Sequence, residues 1–587
     1  MVIFAEGMGS LKAINTYLFK YRARLLLGFI FVTLNSVLLT YPGVYIGQAT
    51  ELFRNRSEDT DAYLRCGLMI ILFSVAGGFF MFLMRQTIIV MSRLIEFDQK
   101  NEIFSHYQSL DQDFYKKNYT GDLMNRISED VGRVRMYTGP AIMYLANTLA
   151  TIVTSIVFMV NVDWRMALVV IAPLPLLSVI IYKVSARINQ NSTLLQEKLS
   201  DITTLTQETF SGIRLIKSFG KESYFAAKME KESAEYKKRG LSLALTEAFF
   251  HPFMIFMVGL SLILAIYMGG VLAAEGEVKA GDISSYVFYI FRLTWPFASL
   301  GWVTSLIQRA AASQKRINEF LNTEPSVKNN NPVSTPVDGK IEFENVSYTY
   351  SETGQVALKQ VSFVLEKGKS IGIIGKTGSG KSTIANLICR VYDTHSGNIK
   401  IDGNNIQSLN LNDLRYTIGY VPQDVFLFSD TIRNNIAFGL NPELSESQLN
   451  EKIIQASKDA AVYDNITAFP QQFDTVIGER GFTLSGGQKQ RISIARAIVK
   501  EPRILIFDDC LSAVDTETED KILSSLKKVM KDKTTLFISH RVSGVKSADY
   551  ILFLKDGRIQ EQGTHEELLQ HNGEYAELFR LQTLEKN

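Results

Sequence analysis

Cysteine is scarce in this sequence: Cys66, Cys389 and Cys510 lie far apart, with no C-x-x-C spacing. That excludes a disulfide framework, a redox pair and a zinc ribbon, and each thiol reads as a small buried hydrophobe. Net charge is also missing. Lys and Arg number 62 against 60 Asp and Glu, a balance of +2, so no overall basic field exists and nucleic acid is set aside as a partner. The most uneven absence is that of charge along the chain. Before residue 310 there are long stretches without Asp, Glu, Lys or Arg, whereas the remainder alternates like an α/β domain. At 587 residues the chain exceeds a single core and divides into parts.

The charge-free stretches run over 25–50, 66–84, 136–162, 166–182 and 248–274, and a sixth over 283–308 is interrupted only by Arg292. Each is at or above the ~17 residues that cross a hydrocarbon core as helix, so six spans are expected. Lys20, Arg22 and Arg24 precede the first, with no small-residue cleavage site after it, which predicts an uncleaved start with the N-terminus inside. The two long connections, from span two to three and from four to five, carry most of the Lys and Arg and are placed in the cytosol. They are rich in helix formers and poor in Pro and Gly, so they read as membrane helices that run on and turn back. Contacts to another domain are expected at 121–130 and at 210–219. Arg292 would cost roughly 2.5 kcal/mol or more facing lipid, so it is expected to face an aqueous cavity or a partner charge; an anionic substrate group, a structural pairing and snorkelling all remain open. Pro252 and Pro296 are candidates for kinks, and His251 reads as a hydrogen-bonded interior residue.

From Thr323 to Lys340 the chain turns polar and is punctuated by Pro325, Pro332 and Pro336, which marks a linker. Three regions follow: a transmembrane domain over 1–322 with two long cytoplasmic coupling loops, the linker over 323–340, and a nucleotide-binding domain over 341–587. In the last, short β-branched runs alternate with helical patterns, the mark of a largely parallel sheet. Ser370 to Ile374 reads as a strand and opens into Gly375, Lys376, Thr377, Gly378, Ser379, Gly380, Lys381 and Ser382, with Thr383 next in the following helix. This fills the phosphate-loop pattern. The glycines let backbone N–H groups curl around phosphates at a helix N-terminus, Lys381 reaches the β- and γ-phosphates, and Ser382 suits Mg²⁺. Ile504 to Phe507 make a buried strand that delivers Asp508, suited to the Mg²⁺ shell, and Asp509, placed to polarise a water.

Between these elements stand Leu484, Ser485, Gly486, Gly487 and Gln488, and here the chain resembles the ATP-binding cassette transporters, whose signature this pentapeptide is. The resemblance extends to Tyr350, where the family stacks an aromatic on adenine, to Gln423 of the Q-loop, which implies a Mg²⁺ contact, and to 478–481, like the exporter X-loop. It also takes in Ser512 to Asp515 of the D-loop and His540, the switch histidine. Six spans before one cassette is the half-transporter arrangement of the exporter branch, with 122–135 and 210–219 like its coupling regions. It implies a multi-domain chain: a six-helix α transmembrane domain fused to an α/β P-loop nucleotide-binding domain, multi-pass in a bacterial inner membrane with the cassette in the cytoplasm. The implied activity is ATP-driven export of hydrophobic or amphipathic substrates, drug-like molecules or lipids, by a dimer with ATP and Mg²⁺ between the two cassettes. One departure stands out: most active members have Glu where this chain has Asp509. In heterodimeric relatives that marks the degenerate half, so a heterodimer is favoured over a slow homodimer. A regulatory subunit, an ATP-gated channel and a lipid flippase are the rival readings. The lipid A flippases of the family carry basic residues where this chain has Trp295 and Ala298. The aromatics Phe249, Phe250, Phe253, Tyr286, Tyr289 and Trp295 are candidates for substrate contact or for span packing.

Overall fold

The computed structural model describes residues 9–440, 444–478, 484–510 and 516–584, with side chains described outside 174–179, 181, 182, 185, 250, 251, 298, 516–521 and 523. The chain separates into two compact units, Met1–Gln108 with Thr120–Thr323, and Ser109–Tyr119 with Glu324–Asn587.

The first unit is helical. Among the described residues, four helical stretches are long and apolar enough to cross a membrane: Arg22–Arg54, Thr60–Ser109, Thr120–Val162 and Glu222–Ala274. The expected spans over 166–182 and 283–308 fall within the helices Trp164–Ile171, Pro173–Ser211 and Ala280–Leu321; Arg292 and several hydroxyl side chains interrupt the apolar run of the last. A helix of 50 residues, Thr60–Ser109, measures about 75 Å at 1.5 Å per residue and so far outruns a ~30 Å hydrocarbon core. The sharp turn at Asp163 is built locally: its carboxylate accepts from the amides of Arg165 and Met166, both at 2.9 Å, and caps the next helix. Arg165 then pairs with Asp163 and Glu277. Helices Glu222–Ala274 and Ala280–Leu321 run through Pro252 and Pro296 without a break.

The 121–130 segment is tied into the helical unit at two points. Leu123 is buried, its carbonyl accepts from Tyr107 Oη at 2.8 Å, and the buried Asp130 takes the Arg316 Nε hydrogen bond at 3.0 Å. These ties anchor it in the helical unit, while the preceding stretch, Ser109–Tyr119, clusters with the cassette. The linker is partly packed. It has no helix or strand, yet Val327 and Val337 are buried in the cassette core, and Ser326 donates its Oγ to Asp111 at 2.6 Å.

The second unit holds two sheets. Strands β1 (Ile341–Thr349), β2 (Val356–Leu365), β4 (Ser396–Ile401) and β5 (Asn404–Asn405) form an antiparallel sheet in the order β2-β1-β4-β5. Strands β3 (Ser370–Gly375), β6 (Ile418–Val421), β7 (Ile504–Asp508), β8 (Thr534–Ser539), β9 (Tyr550–Lys555) and β10 (Arg558–Gly563) make the second sheet, in the order β10-β9-β3-β8-β7-β6. All its pairings are parallel except β9 with β10. Five strands therefore end on one edge, where open α/β sheets gather their ligands. Residues 504–508 are buried along their whole length, and Phe507 stacks on Phe537 of β8 at 5.3 Å between ring centroids.

Candidate nucleotide site

Four of those strand ends converge. The loop after β3 runs into the helix Lys381–Ile388, Gln423 follows β6, Asp508 closes β7 with Asp509 next, and His540 follows β8. Together with Tyr350, Gln355, Ala357 and Ile538 they line one cleft, which also exposes Thr377, Gly378, Gly380, Ser382 and Thr383. The loop needs its glycines. Gly380 sits at φ +99°, and a Cβ there would collide with the Ala357 carbonyl oxygen, so only glycine brings the backbone this close to β2. No side chain caps the helix it opens, which leaves the first-turn amides for an anion. Ser379 Oγ, in the same loop, is buried without a partner among the described residues.

Lys381 folds back onto the loop, donating to the carbonyls of Gly375 at 2.8 Å and Lys376 at 2.9 Å. Burial pushes its pKa down, and Asp509 and Asp508 pull it back up. Asp508 is only 2% exposed. It accepts from Ser382 Oγ at 2.9 Å and from Tyr420 Oη at 3.4 Å, and burial raises its pKa, with the charge of Asp509 adding to the rise. A buried carboxylate beside a hydroxyl and an amide is a set of hard oxygen donors. It matches the one or two protein ligands that Mg²⁺ takes when phosphates supply the others.

Asp509 lies at φ +48°, with its amide donating to Ile538 O at 2.8 Å. His540 Nδ1 stands 2.8 Å and 3.0 Å from its two carboxylate oxygens, and Gln423 Nε2 donates to it at 3.3 Å. The three residues expected to do chemistry thus meet at one carboxylate.

Ser485, Gly486, Gly487 and Gln488 are elsewhere. None of them lines the cleft among the described residues. Ser485 caps the helix Gly486–Ile498 in a reciprocal box, Ser485 N donating to Gln488 Oε1 at 2.9 Å and Gln488 N to Ser485 Oγ at 3.3 Å. Asp515 and the rest of the D-loop, and 479–481 of the X-loop, lie outside the described residues, as do the side chains of Phe250, His251 and Ala298.

Two contacts go beyond what the motifs foresee. Tyr350 Oη lies 3.0 Å from Thr383 Oγ1, joining the aromatic to the phosphate-loop helix. Lys116 places its Nζ 4.6 Å from the centroid of Tyr350 and 5.0 Å from that of Tyr392. The short helix carrying it, Gln112–Lys117, is capped by Asp111, which accepts from Phe114 N at 3.2 Å. The only trace of this in the sequence is the capping Asp before a helical, basic run; the partner ring lies far along the chain. Of the aromatics considered for substrate contact, Tyr286 is fully buried and gives its hydroxyl to the carbonyls of Met159 and Asp163, both at 2.7 Å, which is span packing. Trp295 and Phe249 are exposed.

Comparisons with known proteins cover up to 98% of the chain. The family described as ABC transporter transmembrane region matches residues 25–297, and the one described as ABC transporter matches 358–512. The chain is similar to the probable multidrug resistance ABC transporter ATP-binding/permease protein YheI of Bacillus subtilis (strain 168), 32% identical over 98% of both chains. It is also similar to the ATP-dependent lipid A-core flippase of Pseudomonas fluorescens (strain Pf0-1), 36% identical over 87% of this chain and 84% of that one. In structure it resembles a bacterial Atm1-family ABC exporter solved with ATP bound, with a TM-score of 0.80 and 27% identity over 96% of this chain and 99% of the other.

Proposed function

The chain belongs to the ABC transporters, and we propose that within that family it is the slow-hydrolysing half of a heterodimeric exporter. As a member it is a multi-pass membrane half-transporter that couples ATP hydrolysis to export and functions in a dimer. The heterodimer reading is carried by Asp509. Its carboxylate is one methylene shorter than the Glu usual in the family and is already engaged by His540 and Gln423. A displacement of about 1 Å at a reacting group is enough for roughly a hundredfold in rate.

The roles then follow from the geometry. Lys381 leaves the carbonyls of Gly375 and Lys376 for the β- and γ-phosphates, the first-turn amides and Ser379 cradle them, and Tyr350 stacks on the base. Ser382, Asp508 and Gln423 would hold Mg²⁺, which when bound neutralises charge on the phosphate oxygens. Asp509 orients the water and His540 holds Asp509 in place. Ser485 to Gln488, turned away from their own cleft, serve the partner's nucleotide, and Asp515 is assigned to the same interface. The exposed side chains of Phe210, Leu215 and Phe219 around the helix Ile213–Ser218 favour the same arrangement, since an apolar patch of that kind calls for a cover, and the partner half-transporter is the occupant we assign. The substrates are hydrophobic or amphipathic, in line with the drug and lipid exporters it resembles, and the membrane is a bacterial inner membrane.

The test is ATP turnover by this chain alone in lipid nanodiscs beside Lys381→Ala and Asp509→Glu. Binding of ATP with little turnover, restored on the order of a hundredfold by Asp509→Glu, is the expected result. Brisk wild-type turnover that Lys381→Ala abolishes would instead establish a self-sufficient homodimer.

A further inference from the structure

Arg292 sits near the middle of the 283–308 stretch in the helix Ala280–Leu321. Its Nη2 donates to the carbonyl oxygen of Ser36 at 3.0 Å. That carbonyl lies in the last turn of the helix Arg22–Leu38, where helix acceptors are left over, and it already accepts from Thr40 Oγ1 at 2.7 Å. Nε is buried without a partner, and among the described residues no carboxylate stands within ion-pair distance of the guanidinium. A full positive charge within a span is thus met by one shared, neutral oxygen. A guanidinium presents five donors in a planar fork that suits phosphate and carboxylate, and a charge kept within a span marks a functional site by default.

Hydroxyls gather beside the Ser36 carbonyl. Ser36 Oγ lies 3.4 Å from Thr151 Oγ1 on the helix Ile142–Val162. One turn further on the same helix, Ser155 is fully buried with its hydroxyl unpartnered. Two helices therefore bring hydroxyls to the carbonyl that holds this cation.

We propose that Arg292 is the anion-recognition point of the membrane unit, and that it selects amphiphiles bearing a single phosphate or carboxylate on an apolar tail. This rests on the exporter reading and narrows its substrate class. A purely structural Arg292 tethering the end of a helix would have no preference among head groups, which makes the two roles separable.

The experiment uses the full chain in phosphatidylcholine nanodiscs without ATP. Trp295, one turn beyond Arg292 and 67% exposed, contributes to fluorescence quenched by 11-bromoundecanoate. Dodecyl phosphate and the zwitterionic dodecylphosphocholine then compete for the quencher's site. The expected result is about tenfold stronger displacement by dodecyl phosphate, the scale of a charge-assisted hydrogen bond. The preference disappears in Arg292→Gln and survives in Arg292→Lys. Equal displacement by the two competitors in the wild type, an unchanged preference in Arg292→Gln, or loss of it in Arg292→Lys overturns the proposal; the wild-type arm decides even where a variant fails to fold. Doping the discs with phosphatidic acid separates the sources: displacement of the quencher by the doped lipid identifies a bilayer lipid as the ligand, and displacement by aqueous dodecyl phosphate alone identifies a soluble amphiphile. ATP binding by the wild type, scored against Lys381→Ala, reports on the exporter reading independently, so failure of head-group selection leaves that reading standing and failure of ATP binding leaves selection standing.

Discussion

The helical unit and the cassette use the same side chains in opposite ways. In the cassette, Ile504, Leu505 and Ile506 are fully buried, and the buried Thr383 and Asp508 stand where strands end at the nucleotide cleft. In the helical unit Leu68, Ile71 and Phe79 point outward, more than half exposed, while Ser36, Thr40 and Ser155 are fully buried. Lipid is as apolar as leucine, so the first unit gains nothing by burying leucine and holds its helices by close approach and hydrogen bonds. The cassette is held by the hydrophobic effect. Stability and chemistry therefore depend on different residues in the two units, and substitutions chosen by one unit's logic should fail in the other.

The strongest break in that contrast is at Gly281. A Cβ there would collide with the carbonyl oxygen of Gly47, so Gly281→Ala is expected to destabilise the helical unit by about 1–3 kcal/mol. Thermal unfolding in detergent measures it. Gly270, in the helix Glu222–Ala274, has open space where a methyl group would point, and Gly270→Ala should be neutral or gain up to about 1 kcal/mol; equal losses at both sites would show that close approach is not what holds these helices.

A smaller effect is expected at Asp508, a carboxyl group that the cassette buries. Its folded pKa is raised above the unfolded value by burial. The native state therefore binds that proton more readily, and the group's contribution to stability, complete below the unfolded pKa, is lost as pH rises through the folded one. Asp508→Asn removes the penalty at neutral pH. The nucleotide-free protein should melt about 2–4 °C higher at pH 7, with the gain shrinking as pH is lowered toward 4, while ATP hydrolysis falls. A gain that does not change with pH would place its origin elsewhere.

The smallest effect concerns Lys116, which comes from the helical half of the sequence and packs with the cassette. A cation over an aromatic face contributes roughly 0.5–1 kcal/mol at an exposed site. If Lys116 competes with the base for Tyr350, Lys116→Ala should lower KM for ATP about two- to fivefold with kcat unchanged. A raised KM would mean that it clamps the base instead.

How much of this is legible in the sequence follows the same divide. Lys381, Ser382, Gln423, Asp508, Asp509 and His540 stand out by motif spacing because each sits at the end of a strand whose apolar run is short and bounded, and the parallel sheet then brings those ends together. The membrane unit offers only long apolar runs, which give helix length but not which face meets lipid; from sequence Tyr286 suits substrate and packing equally, and only its hydroxyl on two carbonyls decides for packing. Lys116 on Tyr350 and Asp111 on Ser326 join segments more than two hundred residues apart, and no local pattern encodes such a meeting.

The reciprocal cap at Ser485 has a kinetic consequence. The residue that would grip a partner's phosphate is, without nucleotide, already satisfied by its own helix through Gln488. The cap uses the Ser485 oxygen as an acceptor and leaves its O–H proton to donate, so engagement adds a hydrogen bond without breaking the cap, and the grip is set by the phosphate's charge and lapses when that charge departs. A serine held by its own helix before and after each encounter needs no rearrangement to grip or let go, which suits a machine that must cycle.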